Sequence, residues 1–455
     1  MQGQSKKYHI QQTIKLSIPL VVSQITVMLI GVVDTIMSGR LGTLPLAAVS
    51  IGGAIWGVGI MFVLGILLAT PPMISELDGA KKHNEIGSLV RQLNWLALFI
   101  GLLFFFVLRN LSILFELFGT QPSVIPYATS YLHAISWGML SFPLFLVFRY
   151  VADGLSHTRM TMYISILGLF INIPLNYIMM FGKFGFPALG VAGCGYASAI
   201  TITIQAIIFG LVLAKHRWFK DLAIFSHIEK VDKKVILTVL AIGLPIGMAL
   251  FAEGGFFSVL TMMASKLEPE VIAAHQISLN FSSLLFMVPL GMSMAITVRV
   301  GNAVGRKSKT DTRRAGMIGI GLIFFVQLFL AGFIFIFPEF VVDLYTNDLN
   351  VKAIALQLLF FAAVFQMSDG IQVAAAGALR GIKDTQFLMY ATTIAFWAFG
   401  FSVSYWFCFE KNMGAEGLWI GLIMGLSVAA LLNFFRFHLK TKIPTVFTPA
   451  INQST

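Results

Sequence analysis

Long apolar stretches, separated by short polar segments, follow one another along the whole chain. A helix needs about 20 apolar residues to cross a bilayer core roughly 30 Å thick, and twelve stretches meet or approach that length. They are residues 16–39, 41–75, 92–108, 117–148, 160–182, 184–214, 235–265, 271–298, 315–338, 353–379, 385–409 and 417–435. Transmembrane strands are only about 10 residues long and alternate strictly, so the pattern predicts an all-α polytopic membrane protein with twelve transmembrane helices.

The composition indicates the same class of protein. Hydrophobic residues make up 57% of the 455 positions and charged residues only 11%, with a mean hydropathy of +0.86, whereas about a quarter of a soluble protein is charged. The net charge of +11 could suggest a nucleic-acid binder, but the basic residues lie in short segments between apolar runs and not on a folded polar domain. We therefore expect no nucleic-acid partner. The two cysteines, Cys194 and Cys408, lie in apolar spans and indicate no disulfide framework.

The positions of Lys and Arg predict the orientation. With the N-terminus inside, the inner segments hold 25 of the 31 basic residues, and each of the six outer loops holds one. Short cytoplasmic loops carry such an excess in membrane proteins. Both termini are therefore predicted to be cytoplasmic, with residues 440–455 as a short disordered tail. The first apolar run is too long for a cleaved signal peptide and lacks its cleavage pattern.

The two halves of the chain repeat each other at a nearly constant offset. Pro19 falls on Pro245, and the Met, Leu, Ala-Ala and Gly positions that follow match in nearly the same register. The longest inner loop, about residues 215–234, separates the copies. We therefore predict an N-lobe over residues 1–220 and a C-lobe over residues 221–455, each with six transmembrane helices.

A parallel repeat of this kind is typical of transporters, whose substrate site lies between the halves. A duplicated channel or membrane enzyme would show the same repeat. The chain has no Walker A sequence and no carboxylate-rich metal cluster, so we expect neither an enzyme nor a bound cofactor. His133 and His275 lie near the starts of spans and are predicted to be interfacial or structural.

Three carboxylates stand alone in otherwise apolar spans: Asp34, Glu253 and Asp369. An ionisable residue at the centre of a membrane helix costs about 2.5–3.5 kcal/mol on insertion scales and usually marks an ion pathway. The alternative is a structural ion pair. No Lys or Arg shares these spans, so such partners would come from helix ends, for example Arg149 or Arg299.

The depths of the carboxylates predict two separate sites. At about 1.5 Å of rise per residue, Glu253 lies roughly 20 Å below the outer marker Lys266, and Asp369 lies roughly 25 Å below Lys352. These two carboxylates could therefore share one site in the C-terminal half. By the repeat offset none of the three acids has an acidic counterpart, so the halves match in scaffold and differ in chemistry.

Asp34 has other predicted neighbours. Asn172 and Asn176 lie one helical turn apart, on one face, and Ser198 on the next span could reach a comparable level. Amide and hydroxyl oxygens beside one carboxylate suit Na⁺, whereas a carboxylate alone suits a proton. The alternative for these polar residues is ordinary hydrogen bonding between membrane helices.

Five segments, in order along both halves, carry a resemblance to a known family. They are VDTIMSGRLG (33–42), PLAAVSIGGAIW (45–56), NIPLNYIMMFGKFG (172–185), AAHQISLNFSSLLFMVPLG (273–291) and AAAGALRGIKDT (374–385). Together they resemble the NorM-like branch of the multidrug and toxic compound extrusion (MATE) family, over about residues 10–440. The resemblance implies a V-shaped transporter of two six-helix lobes. It also implies antiport of amphipathic, usually cationic drugs against Na⁺ or H⁺ across the bacterial inner membrane.

The resemblance also implies roles for individual residues. Carried over position by position, it assigns an N-lobe cation, proton or substrate site to Asp34, Asn172, Asn176 and Ser198, and C-lobe cation or proton coupling to Glu253 and Asp369. Phe365 departs from the pattern, because some NorM-like members have Tyr at this position. Without that hydroxyl, a C-lobe Na⁺ site is in doubt and H⁺ coupling stays open.

We therefore predict a secondary active multidrug efflux antiporter that works as a monomer in membrane lipid. The sequence does not separate Na⁺ from H⁺ as the coupling ion. The main alternative is a flippase for a lipid-linked oligosaccharide, which would need a large cationic cavity for pyrophosphate, yet most span interiors lack basic residues. A channel, the third possibility, would conduct without stoichiometric coupling.

Overall fold

The computed structural model describes residues 4–117 and 119–442, and this part of the chain is helical without any strand. The first three residues of the predicted tail, 440–442, are helical, and the rest of that tail lies outside the described residues. In the first half the α-helices are α1 Lys6–Leu41, α2 Thr43–Leu67, α3 Thr70–Gly79, α4 His83–Asn110, α5 Ile113–Leu117, α6 Ile125–Ser136, α7 Phe142–Gly154, α8 Thr158–Phe181 and α9 Val191–Lys215. In the second half they are α10 Lys233–Ala264, α11 Pro269–Gly305, α12 Lys309–Ile336, α13 Pro338–Asp343, α14 Leu349–Gly381, α15 Thr385–Thr393, α16 Phe401–Tyr405 and α17 Ala415–Lys442.

Shorter helical segments join some of these helices. The 3₁₀ turn Trp137–Leu140 connects α6 to α7, and Lys220–Leu222 forms another in the central loop. The π-helical segments Ile394–Gly400 and Trp406–Glu410 flank α16, so that Thr385–Glu410 is one continuous span.

The number of spans agrees with the twelve predicted helices. Within the described residues, eleven helices are long and apolar enough to cross a membrane, and a twelfth span results if a bent pair is counted as one. That pair is Ile125–Leu140 with Phe142–Gly154, bent by 45°. The all-α polytopic fold is therefore confirmed.

The helices repeat with the sequence. The repeat offset that relates Pro19 to Pro245 also relates the first residues of α2 and α11, Thr43 and Pro269. It relates the starts of α4 and α12 in the same way. One clear difference between the copies is that the first is broken at Ser141, whereas its counterpart α14 is a continuous helix of 33 residues.

The chain forms two compact units, whose boundaries differ from those of the predicted lobes. The N-unit is Val22–Gly247, and the C-unit takes the chain up to Val21 together with the chain from Met248 onward. The divisions thus fall inside α1 and α10, at positions related by the repeat offset, and not in the loop near residue 220. Each unit contains half of a helix that the sequence repeat would assign to the other copy.

Close helix crossings hold these exchanged halves in place. In the N-unit, α10 crosses α2 where Gly247 meets Gly65, and a side chain on Gly65 would collide with the Gly247 backbone. In the C-unit, α1 crosses α11, and a Cβ on Gly291 would lie 2.6 Å from the Val21 nitrogen. Small residues let helix backbones approach this closely in membranes, so the sequence repeat of Gly65 and Gly291 produces the same crossing twice.

Candidate functional site

Asp34 lies at the centre of a hydrogen-bonded cluster in the N-unit. The Asn176 amide donates to Asp34 Oδ1 at 2.6 Å, and the Ser198 hydroxyl donates to Asp34 Oδ2 at 2.8 Å. Asn176 Nδ2 also donates to Asn172 Oδ1 at 2.9 Å, and Asn172 Nδ2 donates to Ser198 Oγ at 3.3 Å. All four side chains are buried. The structure therefore brings together every residue that the sequence predicted for this site.

The local sequence explains how α8 and α9 reach Asp34. Asn172 and Asn176 share one face of α8 because they are one turn apart. Gly193 on α9 allows close packing on α8, since a Cβ there would lie 2.5 Å from the Met179 carbonyl oxygen. Gly182 caps the C-terminal end of α8 and adopts a left-handed conformation (φ 66°) that glycine takes without strain.

The cluster has one free acceptor. Among the described residues, no hydrogen-bond donor reaches the buried Oδ1 of Asn176, although its Nδ2 serves Asp34 and Asn172. A carbonyl oxygen without a donor, one side chain away from a carboxylate, is suited to a bound cation or to a proton shared with that carboxylate. Ordinary hydrogen bonding between helices describes the other contacts of the cluster but leaves this oxygen without a partner among the described residues.

The second group of carboxylates lies in the C-unit. The carboxylate of Glu253 on α10 interacts electrostatically with the buried carboxyl group of Asp369 on α14. The Gln372 side chain hydrogen-bonds Glu253. The positive charge of Arg380 also interacts electrostatically with Glu253. Glu253 and Asp369 therefore share one site, as their depths predicted.

The cationic group of this site is Arg380, which acts on Glu253. Arg149 donates to Gln24 at 2.5 Å and lies 3.8 Å from Asp153. Arg299 bonds His9 and Thr13 near the start of α1. Neither of these arginines, which the sequence offered as possible partners in a structural ion pair, makes a hydrogen bond or ion pair with an isolated acid among the described residues.

Sequence reasoning missed Arg380 because it lies just beyond the predicted span. Helical spacing offered a signal, since Arg380 follows Asp369 by about three turns on the same face of α14. The guanidinium also donates to Ser293 Oγ at 3.2 Å. Gln372 was missed because a neutral amide in a span carries no charge signal.

Phe365 forms part of an aromatic wall beside this site. Its ring centroid lies 6.2 Å from that of Phe257 and 5.5 Å from that of Trp419. Only 4% of Phe365 is exposed. The position that is Tyr in some relatives of the resembled family therefore offers no oxygen to an ion here.

The N-unit also contains an apolar cavity of about 810 Å³ between the α6–α7 span and α9. Trp137, Tyr196 and Phe225 line it together with aliphatic side chains, and Ser141 and Thr203 add hydroxyls. Within the part of the chain that the structure describes, no charged residue lines this cavity, and neither does any member of the Asp34 cluster. It can therefore take an apolar group but supplies no ionic partner.

Comparisons with known proteins agree with this architecture. The MatE family model matches residues 19–178 and again residues 245–406, which confirms the internal duplication. The chain is 41% identical to the "Probable multidrug resistance protein NorM" of Xanthomonas campestris, over 93% of this chain and 92% of that protein. It is 37% identical to the multidrug resistance protein MdtK of Yersinia enterocolitica, over 95% and 96% of the two chains.

Solved structures show the same fold. A crystal structure of MATE in the straight conformation superposes with a TM-score of 0.88 at 21% identity, covering 95% of this chain and 96% of that one. The eukaryotic MATE transporter AtDTX14 gives a TM-score of 0.84 at 18% identity, covering 95% and 96%. With a duplicated helical fold, a family model that matches both copies and relatives similar over nearly their whole length, the chain belongs to the MATE family of membrane transporters.

Proposed function

We propose that the protein is a secondary active multidrug efflux transporter that exports amphipathic, mostly cationic drugs in exchange for Na⁺ or H⁺. The observation that carries the proposal is the Asp34 cluster, in which a buried carboxylate accepts two hydrogen bonds while the Asn176 carbonyl oxygen stays free among the described residues. Relatives named as multidrug resistance proteins support export of drugs over the flippase alternative.

The chemistry of coupling rests on competition at buried carboxylates. A proton, Na⁺ or a drug cation can each neutralise such a group, and burial makes an unneutralised charge costly. If the ion binds when the transporter faces outward and displaces the drug, the two fluxes are linked through one site. An inward-moving charge yields about 2.3 kcal/mol per 100 mV of membrane potential, which is enough to drive export.

The two units supply different groups to this exchange. Asp34, Asn172, Asn176 and Ser198 offer one carboxylate with amide and hydroxyl oxygens, which suits Na⁺, H⁺ or a cationic drug group. Glu253 and Asp369 form an acidic pair whose charge Arg380 offsets in part, and we assign ion coupling to this pair. No cofactor takes part.

The cellular setting follows from the family and from the distribution of basic residues. We propose a monomer in the lipid of the bacterial inner membrane, with both termini cytoplasmic. Inner segments would then hold 25 of the 31 basic residues, as the positive-inside rule expects.

Transport in inverted membrane vesicles tests the proposal. Vesicles that contain the full-length protein receive a Na⁺ gradient or a H⁺ gradient separately, and uptake of ethidium or tetraphenylphosphonium is followed by fluorescence or with an electrode. We expect at least one gradient to drive uptake above that of vesicles without the protein. Uptake driven by neither gradient would refute antiport, and release of a bound fluorescent cation by Na⁺ at constant pH would identify Na⁺ as the ion.

A further inference from the structure

Helices α11 and α14 of the C-unit pack side by side, and each contributes one face to the contact. Thr297 Oγ1 donates to the Gly377 carbonyl at 2.8 Å, and a Cβ on Gly377 would lie 2.6 Å from the Ser293 carbonyl oxygen. One turn further on, a Cβ on Gly381 would lie 2.6 Å from the Val300 side chain. Both helices run in the same direction, so these contacts define a parallel register.

Nearer the N-terminal ends of the two helices, the same faces carry polar residues. Ser282 and His275 precede Ser293 by about three and five turns on one face of α11. Gln366 precedes Gly377 by about three turns on α14. Extended along α11 past Pro289 by helical spacing, the parallel register places Ser282 level with Gln366, and His275 about two turns nearer the start of α11.

These side chains are buried and lack hydrogen-bond partners among the described residues. His275 and Gln366 have no exposed surface and Ser282 only 2%. Among the described residues, neither ring nitrogen of His275, neither amide atom of Gln366 and not the Ser282 hydroxyl has a hydrogen-bond partner. Trp419, whose ring centroid lies 6.0 Å from that of His275, has an indole N–H that is also unpaired within that part of the chain.

Such a row of buried polar atoms is unusual, because an unpaired donor or acceptor destabilises the fold. Buried water commonly satisfies such groups, with two to four polar partners for each molecule. The row also leads to the acidic pair, because Gln366 is one turn from Asp369 on the same face of α14.

The charged groups at the two ends of this row differ. At one end, Glu253 interacts electrostatically with both Asp369 and Arg380. At the other end, Glu270 and Glu416 lie in the first turns of α11 and α17, the end that the basic-residue pattern predicts to face outward. Carboxylates at both ends can accept a proton, so the row connects an acidic outer end with the acidic pair.

We propose that this polar seam, defined by His275, Ser282 and Gln366, holds a file of water molecules that carries protons from the outer end of α11 to the Asp369–Glu253 pair. Each proton passes from water to water and ends on a carboxyl oxygen, so one proton enters the seam for each one bound. Ser282 and Gln366 are positioning residues, because they orient water and do not exchange the proton themselves. The inference rests on the proposed antiport and names H⁺ as its coupling ion.

Proton flux in proteoliposomes tests the seam. The full-length protein is reconstituted without Na⁺, with a trapped pH-sensitive dye and a clamped membrane potential, and tetraphenylphosphonium is added on one side. The variant Gln366→Leu removes no hydrogen bond that the side chain makes to the described residues, so it should fold. We expect its proton counterflow to fall about tenfold, equivalent to about 1.4 kcal/mol on the barrier, while equilibrium binding of tetraphenylphosphonium stays unchanged. Ser282→Ala should lower the flux in the same direction.

A matched control comes from another buried amide of the C-unit. Asn433 on α17 is fully buried and, among the described residues, both its amide atoms are unpaired, but it lies roughly 21 Å beyond Trp419 along the helix. Asn433→Leu should leave the proton flux at the wild-type value. Wild-type flux in both Gln366→Leu and Ser282→Ala would overturn the proposal.

The wild-type protein separates this inference from the proposed function. Exchange of tetraphenylphosphonium for H⁺ supports both. Exchange for Na⁺ alone overturns the proton seam and leaves the antiporter in place, whereas exchange for neither ion refutes the antiporter itself.

Discussion

At the scale of single residues, charge in an apolar context was the most informative signal. Asp34, Glu253 and Asp369 stand out because a membrane helix tolerates few charges, and the structure gives Asp34 the predicted partners on α8 and α9. The sequence did not predict a role for the neutral polar residues of α14. Gln366 and Gln372 look like ordinary polar positions in the sequence, and only packing reveals that they lie beside an acidic pair.

The first prediction concerns that acidic pair. Glu253→Gln and Asp369→Asn keep the size of each side chain but remove the group that exchanges a proton or cation, so ion-driven drug uptake should disappear while expression stays near normal. Uptake in inverted vesicles and the amount of protein in the membrane are the two measurements. Glu85→Gln is the control, since Glu85 pairs with Lys82 on the surface. Unchanged efflux in both variants of the pair would make these residues structural.

A second prediction concerns the aromatic wall. Phe365→Tyr places a hydroxyl oxygen one turn from Asp369, and oxygen is the ligand that hard cations prefer. The Na⁺ concentration that releases a bound fluorescent cation at constant pH should therefore fall. Phe361→Tyr adds the same hydroxyl one turn further from Asp369 and should not alter it. Equal Na⁺ responses in the two variants would contradict this account of Phe365.

At the scale of helices, equivalent elements of the two repeats differ in their geometry and in their functional side chains. The α6–α7 span bends by 45°, whereas its counterpart α14 continues unbroken and carries Asp369 at the position equivalent to Phe142. A continuous helix holds Gln366, Asp369 and Arg380 in fixed spacing along one face. The same segment with a break could not align three groups in this way.

A third prediction concerns the crossing of α2 and α10. Gly65→Ala should destabilise the protein by about 1–3 kcal/mol, the usual cost of overpacking, because its Cβ would meet the Gly247 backbone. Gly247→Ala should destabilise the protein much less, since its Cβ would lie 3.6 Å from Gly65 Cα. Thermal unfolding of the purified variants in detergent compares the two. Equal losses would show that the crossing is looser than described.

The loop between the sequence repeats is held on α4 by a network around Glu229. Arg91 donates to its carboxylate at 2.5 Å, Ser88 donates at 2.9 Å, and the Trp95 indole donates to its backbone oxygen at 2.9 Å. The hydrogen bond from Arg91 is the main cause that lowers the pKa of Glu229 from 4.5 to about 2. The carboxylate is therefore charged across the neutral range.

The fourth prediction follows from this lowered pKa. A carboxyl group whose pKa is lower in the folded state stabilises the fold above its unfolded pKa and loses that effect as the pH falls through the folded pKa. The difference in melting temperature between the wild type and Glu229→Gln should thus be full above about pH 4.5 and shrink toward pH 2. Glu85→Gln should show a smaller difference at all pH values, because that surface pair is weak. A constant Glu229 difference down to pH 2 would contradict the role of Arg91.

At the scale of the whole molecule, the chain is a duplicated helical transporter whose units exchange halves of α1 and α10. The exchange means that neither sequence repeat corresponds to a compact body. Cutting the chain near residue 220 would separate α10 from the N-unit and the start of α1 from the C-unit, so we expect neither fragment to fold alone.

The fifth prediction tests the orientation in the membrane. Cys194 and Cys408 are buried, so labelling of the native cysteines should be low. Single cysteines introduced at Lys183 and Lys82 can then be labelled selectively. A membrane-impermeant maleimide added to intact spheroplasts should label Lys183→Cys and should label Lys82→Cys only after permeabilisation. The reverse pattern would invert the proposed topology.

The sequence by itself determined the number and approximate bounds of the spans, the duplication and the three isolated acids. It did so because a membrane demands about 20 apolar residues per helix and tolerates few charges within them. The tertiary structure decided where the compact units divide, that Arg380 acts on Glu253, and that His275, Ser282 and Gln366 are buried without hydrogen-bond partners among the described residues. These features depend on the faces that helices present at their crossings, and hydropathy along a chain carries no information about such contacts between distant segments.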